Sequence, residues 1–195
     1  MTQRERVAGV ILAAGASRRY GSPKQLAKVG ERTMLEHVAE IARASALTPI
    51  LAVVPSAVRA PGGTMPVIND HPAEGLSRSL RLGIEAVPDD VAAVVILLGD
   101  QPTVPASWIA SLVDAPRDRP VVAMRAEGRV GPPVLLRRAA FHLVNEAEGD
   151  AGLAPVLARH PELVAHVDVP AHAPDVDRPD DLAHLVVPPE PAPGD

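Results

Sequence analysis

The residues of this chain that could do chemistry gather first between Ala14 and Lys24. There Gly15, Ser17, Gly21 and Ser22 are interleaved with Arg18, Arg19 and then Lys24. Small residues let backbone amides approach an anion closely, and guanidinium and ammonium groups stay charged throughout the physiological range. Such a loop can cradle phosphate. Two familiar phosphate loops do not describe it. A dinucleotide fingerprint needs G-x-G-x-x-G, whereas Gly15 is followed by Ala16, Ser17 and Arg18. A Walker loop sets four residues between its glycines and a lysine directly after the second; here five separate Gly15 from Gly21, and Ser22 and Pro23 precede Lys24.

Acidic residues form the second group. Asp100, in Gly99-Asp100-Gln101-Pro102, follows the most apolar run of the chain, where a carboxylate is badly solvated unless a cation shares its space. Magnesium is one such occupant, since it prefers carboxylate oxygen and shares its shell with phosphates. The other reading is a turn aspartate capping the helix that Pro105 begins. Asp175 and Asp177 lie two apart in an extended segment, so both carboxylates face one side. They can complete a divalent-metal site with Asp100, or one can cap the helix that Pro179 starts. None of the seven histidines has H-x-x-x-H or His–carboxylate spacing for zinc, there is no G-x-S-x-G elbow, and the absence of cysteine excludes thiol chemistry. His71 alone stands beside a segment of interest.

The elements that must position these groups are legible as apolar runs. Val7 to Ala13 reads as a strand buried on both faces, as do Pro49 to Val54 and Val91 to Leu98. Met65 to Ile68 is a further strand, delivering Asn69, Asp70 and His71. Helices are expected over Thr33 to Ala46, opened by a Thr33/Glu36 capping box, over Glu74 to Ala86, and from Pro105 to Val113. The later chain reads as a strand at Val121 to Met124, a loop at Arg125 to Pro133, and a short strand at Val134 to Leu136. Helices follow at Arg137 to Asn145, with Phe141 inward, and at Asp150 to Arg159, then a strand at Glu162 to Val169. This alternation predicts a mostly parallel sheet covered by helices on both faces, with ligands outside the carboxyl ends of the strands. The loops at Gly15, Asn69 and Asp100 all leave such ends.

With 195 residues the chain suits one domain, expected over residues 1–187, with the Pro-rich 188–195 tail disordered. No apolar run approaches the roughly 18 to 20 residues of a membrane span. The polar start, MTQRERVAG, is not a secretory signal, so a cytoplasmic location is expected. A net charge of −5 and 2% aromatic residues argue against a nucleic-acid surface, which wants a basic stripe and stacking rings.

The pattern LAAGxSxRxGxxKxL, carried by Leu12 to Leu26, resembles the signature of nucleotidyltransferases of the MobA/MocA-like family, and most nearly its molybdenum-cofactor cytidylyltransferase branch. Gly99 to Pro102 is similar to the family's metal motif GDQP, and Asp175 to Leu182 to its DIDTPEDL. The resemblance implies an α/β fold: a single Rossmann-like, GT-A-like domain, three-layer α/β/α with a mostly parallel mixed sheet. It also implies transfer of CMP from CTP to the phosphate of molybdopterin with release of pyrophosphate, supported by magnesium or manganese. Arg19, Lys24 and Asp100 would be catalytic, and Asp100 with Asp177 or Asp175 would hold the metal. Leu12, Ala13, Ala14, Gly15, Ser17, Arg19, Lys24, Asn69, Gly75, Ser77, Ser79 and Asp100 would bind the nucleotide, Ala14 accompanying cytidine where LAGG accompanies guanosine. Gln101, Pro102, Gly131, Pro133 and Asp150 would serve the acceptor, and the product would pass to a molybdoenzyme or its chaperone.

The chain departs from the family at Tyr20 (usually Met), Pro72 (aromatic), Pro132 (His), Ala154 (Arg) and Arg178 (Thr). The acceptor-side departures leave room for GTP, for a sugar, isoprenoid or phospholactate phosphate as acceptor, and for a non-catalytic nucleotide-binding partner in cofactor insertion.

Overall fold

The computed structural model describes residues 5–15 and 20–185. Ser17, Arg18, Arg19 and the 188–195 tail lie outside the described residues. Strand β1 spans Val7–Leu12; a 3-10 turn at Lys24–Leu26 leads into a small hairpin of β2 (Lys28–Val29) and β3 (Arg32–Thr33). Then come α1 (Met34–Ala44), β4 (Ile50–Val54), β5 (Met65–Ile68), α2 (Leu76–Glu85), β6 (Ala93–Leu98) and α3 (Ala106–Asp114). The chain continues through β7 (Val121–Ala126), β8 (Arg129–Arg137), α4 (Ala154–Arg159) and β9 (Val164–Asp168).

Seven strands form one mixed sheet in the order β5-β4-β1-β6-β8-β7-β9. The first four run parallel, β8 is antiparallel to both its neighbours, and β9 is parallel to β7. Alternate side chains of each strand supply opposite faces. Val10, Leu12, Val53 and Ile96 pack with Leu80 of α2 and Leu157 of α4. Ile11, Ala52, Val95 and Leu97 pack with Leu35 of α1 and Leu112 of α3. The domain is therefore a three-layer α/β/α sandwich whose central strands are apolar on both sides, which is why they appear in the sequence as unbroken runs.

The capping box of α1 forms as expected: the Glu36 N–H donates to Thr33 Oγ1 at 3.2 Å, and the Thr33 N–H donates to Glu36 Oε2 at 2.7 Å. Three expectations for the later chain require correction. Arg125 to Pro133 is not a loop but most of a hairpin, turning at Glu127 and Gly128, both at positive φ as a two-residue type I′ connection demands. The adjacent prolines 132 and 133 suggested a break. In fact the pairing of β7 with β8 skips them through an irregularity between Ala123 and Met124, so neither has to donate a ladder hydrogen bond. The segment Arg138–Glu146 is a run of 3-10 turns rather than an α-helix, and α4 begins only at Ala154, because Gly149 and Gly152 hold positive φ ahead of it.

Candidate functional site

Leu12 and Leu98 are register partners at the carboxyl ends of β1 and β6, so the segments Ala13–Gly15 and Gly99–Gln101 leave the sheet side by side. The Gly99 N–H donates to the Leu12 carbonyl at 2.9 Å. The 3-10 turn at Lys24–Leu26 lies over this junction, closed by Leu26 N–H to Pro23 O and Ala27 N–H to Lys24 O, each at 2.9 Å. It aims Lys24 inward, leaving 17% of that side chain exposed.

The ammonium of Lys24 lies 2.6 Å from Asp100 Oδ2 and 3.1 Å from Asp177 Oδ1. Burial by itself would pull the lysine pKa down. The hydrogen bonds and negative charge of Asp100 and Asp177 outweigh that and raise it above its ordinary range, so the group is a cation at neutral pH.

Asp177 reaches this place by a strap of chain from Ala173 to Asp177 laid across the end of β6. The Val176 N–H donates to the Asp100 carbonyl at 3.0 Å, and Val176 is fully buried. Gln101 Nε2 donates to the Ala173 carbonyl at 3.3 Å and to Asp175 Oδ1 at 2.8 Å. Beyond the strap, Asp181 Oδ2 accepts the N–H groups of Asp177 and Arg178 at 2.8 and 2.7 Å, fixing the backbone that carries the Asp177 carboxylate. Asp175 is exposed as a residue, but its carboxyl is turned inward. Loss of hydration around the carboxyl, then the charge of Asp100, push its pKa up against the opposing pull of Gln101 and Lys24.

Asp100 and Asp177 thus converge on one cationic position occupied by an ammonium. Their oxygen donors suit a hard divalent ion whose remaining ligands would come from phosphate and water. Among the described residues no three histidine or carboxylate side chains are assembled as a metal-holding group, so such an ion would depend on ligands from the nucleotide.

A pocket of about 130 Å³ opens here, lined among others by Ala13, Gly15, Lys24, Gln25 and Asp100. It shares Leu12, Leu76 and Leu98 with an adjoining cavity of about 220 Å³, to which Val130, Gly131, Pro132, Asp150 and Ala154 contribute. Of the residues that the resemblance assigned to the acceptor, Gly131 and Asp150 line this cavity. Gln101, Pro102 and Pro133 are buried and do not line it.

In the Asn69–Ser79 segment the polar groups face one another. Asn69 is fully buried; its Nδ2 donates to Ser79 Oγ at 3.0 Å, while its Oδ1 accepts from the His71 N–H and from Arg78 Nε. Ser77 and Ser79 are also buried. Gly75, at φ +90°, brings the start of α2 so near the Gly149 turn that a Cβ would lie 2.5 Å from the Gly149 carbonyl carbon and oxygen. The Ser77 N–H donates to that same carbonyl at 3.0 Å. From this segment Leu76 lines both pockets.

Ser17 and Arg19 lie outside the described residues. Sequence reasoning did not single out Leu76, Leu98, Gln25 or Asp181. Only Asp181 had a local signal, an acid two residues after a helix-opening proline and able to reach back over the first turn.

Among the described residues no helix is long and apolar enough to cross a membrane. No curated protein matches the chain. Among solved structures it is similar to the Mycobacterium sp. strain JC1 homologue of Rv0371c, at 31% identity over 93% of this chain and 96% of that one, with a TM-score of 0.82. Rv0371c of Mycobacterium tuberculosis H37Rv is 26% identical over 94% and 98%, with a TM-score of 0.80. The structure of its complex with manganese gives 25% identity over 93% and 98%, with a TM-score of 0.77. A nucleotidyl transferase from Methanothermobacter thermautotrophicus shares the fold at 18% identity, covering 92% and 95%, with a TM-score of 0.74. Residues 9–167 match the MobA-like NTP transferase domain, so the chain belongs to that family and is a nucleotidyltransferase.

Proposed function

We propose that this enzyme transfers CMP from CTP to the phosphate of molybdopterin, releasing pyrophosphate, in the cytoplasm, and that its product passes to a molybdoenzyme or its chaperone. The observation that carries the chemistry is Lys24 held between Asp100 and Asp177 at the mouth of a pocket bounded by Gly15. The acceptor phosphate, with a second pKa of about 6, is largely dianionic at neutral pH and attacks the α-phosphorus without a general base. Alignment and charge neutralisation are then the remaining tasks. Lys24 meets the α-phosphate and the charge that develops on it; Arg19 and the amides around Gly15 bind the β and γ phosphates. Asp100 and Asp177, with Asp175 as the alternative second ligand, hold magnesium or manganese, which when bound neutralises the triphosphate and the departing pyrophosphate. Similarity to Rv0371c, solved with manganese, supports this metal role. The choice of cytidine is supported by Ala14 in the LAAG sequence.

A second reading keeps the transferase chemistry and changes the acceptor. Pro132 and Ala154, standing where similar sequences carry histidine and arginine, both line the 220 Å³ cavity, whose wall is otherwise largely aliphatic. An acceptor with a less polar body, such as an isoprenoid phosphate, suits that lining. Pyrophosphate release from CTP, GTP, ATP and UTP, each with molybdopterin and with sugar, isoprenoid and phospholactate phosphates, separates the two. CTP with molybdopterin should be the most active pair; selective turnover with another acceptor would favour the second reading.

A further inference from the structure

We propose that Lys24 occupies the divalent-cation position while the enzyme is free of nucleotide, so that the site takes a metal–nucleotide complex in preference to the free metal ion. This rests on the reading of Lys24, Asp100 and Asp177 given above and extends it to the order in which ligands bind.

The ammonium nitrogen stands within hydrogen-bond distance of both carboxylates, 2.6 Å from Asp100 and 3.1 Å from Asp177. A divalent ion held by these two carboxylates would have to take the place of the ammonium, because hard cations seek the same carboxylate oxygens. The two cations therefore compete for one position. Expelling the lysine would take the charge of a side chain that is only 17% exposed away from the Asp100 and Asp177 carboxylates. An incoming triphosphate changes that balance. The pocket beside Lys24 reaches Gly15, so a flexible four-carbon side chain can turn from carboxylate to phosphate as the ion enters with the nucleotide. Coupling of this kind is reciprocal: nucleotide must strengthen metal binding by the factor that metal strengthens nucleotide binding.

Removal of the lysine charge should uncouple the two. The test is a Mn2+ titration of the full chain without nucleotide, read by the electron paramagnetic resonance signal of free Mn2+. Lys24→Met should bind Mn2+ at least ~10-fold more tightly than wild type, within the range of ordinary coupling energies. Lys28→Met, which removes an exposed lysine on β2, controls for net charge and should bind as wild type does. Adding Asp100→Asn to Lys24→Met should abolish the gain. Lys24→Gln serves if the methionine variant misfolds, with circular dichroism as the check on folding. Wild type binding Mn2+ as tightly as both Lys24 variants, or a gain that survives Asp100→Asn, overturns the proposal. A separate titration with CTP present tests the nucleotide assignment: if CTP fails to enhance Mn2+ binding to wild type while Lys24→Met shows its gain without nucleotide, the CTP assignment falls and lysine occupancy stands.

Discussion

Gly99 lies flush against Ala13: a Cβ on the glycine would fall 2.7 Å from the alanine Cβ and 3.2 Å from its Cα. The close approach brings the end of β6 onto the end of β1 and so sets Asp100 beside the Ala13–Gly15 segment.

Gly99→Ala should therefore force the two loops apart. Overpacking of this kind costs about 1 to 3 kcal/mol, and urea denaturation should show it together with a fall in kcat. Gly15 is the contrasting case, since among the described residues a Cβ there meets nothing within 4 Å. Gly15→Ala should keep stability within about 0.5 kcal/mol of wild type yet raise the KM for the nucleotide, because the added methyl would stand where phosphate approaches the backbone.

Asp181 lines neither the 130 nor the 220 Å³ pocket, and it accepts the N–H of Asp177. Asp181→Ala should cost about 1 kcal/mol of stability as a lost helix-start contact. Loss of packing alone would not raise the metal concentration needed for half-maximal activity, and the drift of Asp177 should do so. Asp181→Asn, which retains an acceptor oxygen, should restore most of both.

Asp175 provides a prediction in pH. Its native pKa is raised above the ordinary 3.8 by loss of hydration and by the charge of Asp100, so the folded state holds the proton more tightly than the unfolded chain does. Stability contributed by this group is present at low pH and declines as pH rises from 3.8 through the raised native value. Asp175→Asn keeps an acceptor for Gln101 and removes the charge. Its melting temperature should exceed that of wild type at pH 7, and the difference should vanish below pH 3.8.

Pro132 and Ala154 line the larger cavity at positions distant in sequence. Pro132→His with Ala154→Arg should leave the KM for CTP unchanged and raise kcat/KM for a polar phosphorylated acceptor by roughly tenfold, equivalent to about 1.4 kcal/mol. Steady-state kinetics with each substrate varied in turn measure both.

What the sequence disclosed follows from how local each signal is. The strands at Val7, Ile50 and Ala93 are buried on both faces, so every residue of each run is apolar and the elements announce themselves. The hairpin through Arg129–Arg137 was hidden by Pro132 and Pro133, whose accommodation depends on an irregularity in the neighbouring strand rather than on anything within the segment. In the site, the Gly15 loop that leads to Lys24 and the Asp100 loop could be expected to meet because both leave carboxyl ends of parallel strands, and the pairing of β1 with β6 makes them neighbours. Gln101 could not be seen as the anchor of the strap, since its partners Ala173 and Asp175 lie more than seventy residues later. Asn69 and Ser79 were legible as polar groups near a strand end, but that they satisfy each other in the interior is a fact of tertiary packing.

The central claim is that Lys24 and the Asp100–Asp177 pair act on a single triphosphate, and a crystal structure of the enzyme with CTP and Mn2+ tests it most directly. An anomalous manganese peak should lie within coordination distance of Asp100 and Asp177, with the Lys24 ammonium moved onto the α-phosphate. A triphosphate bound away from all three residues, or manganese seated elsewhere while Lys24 keeps its carboxylate partners, would contradict it.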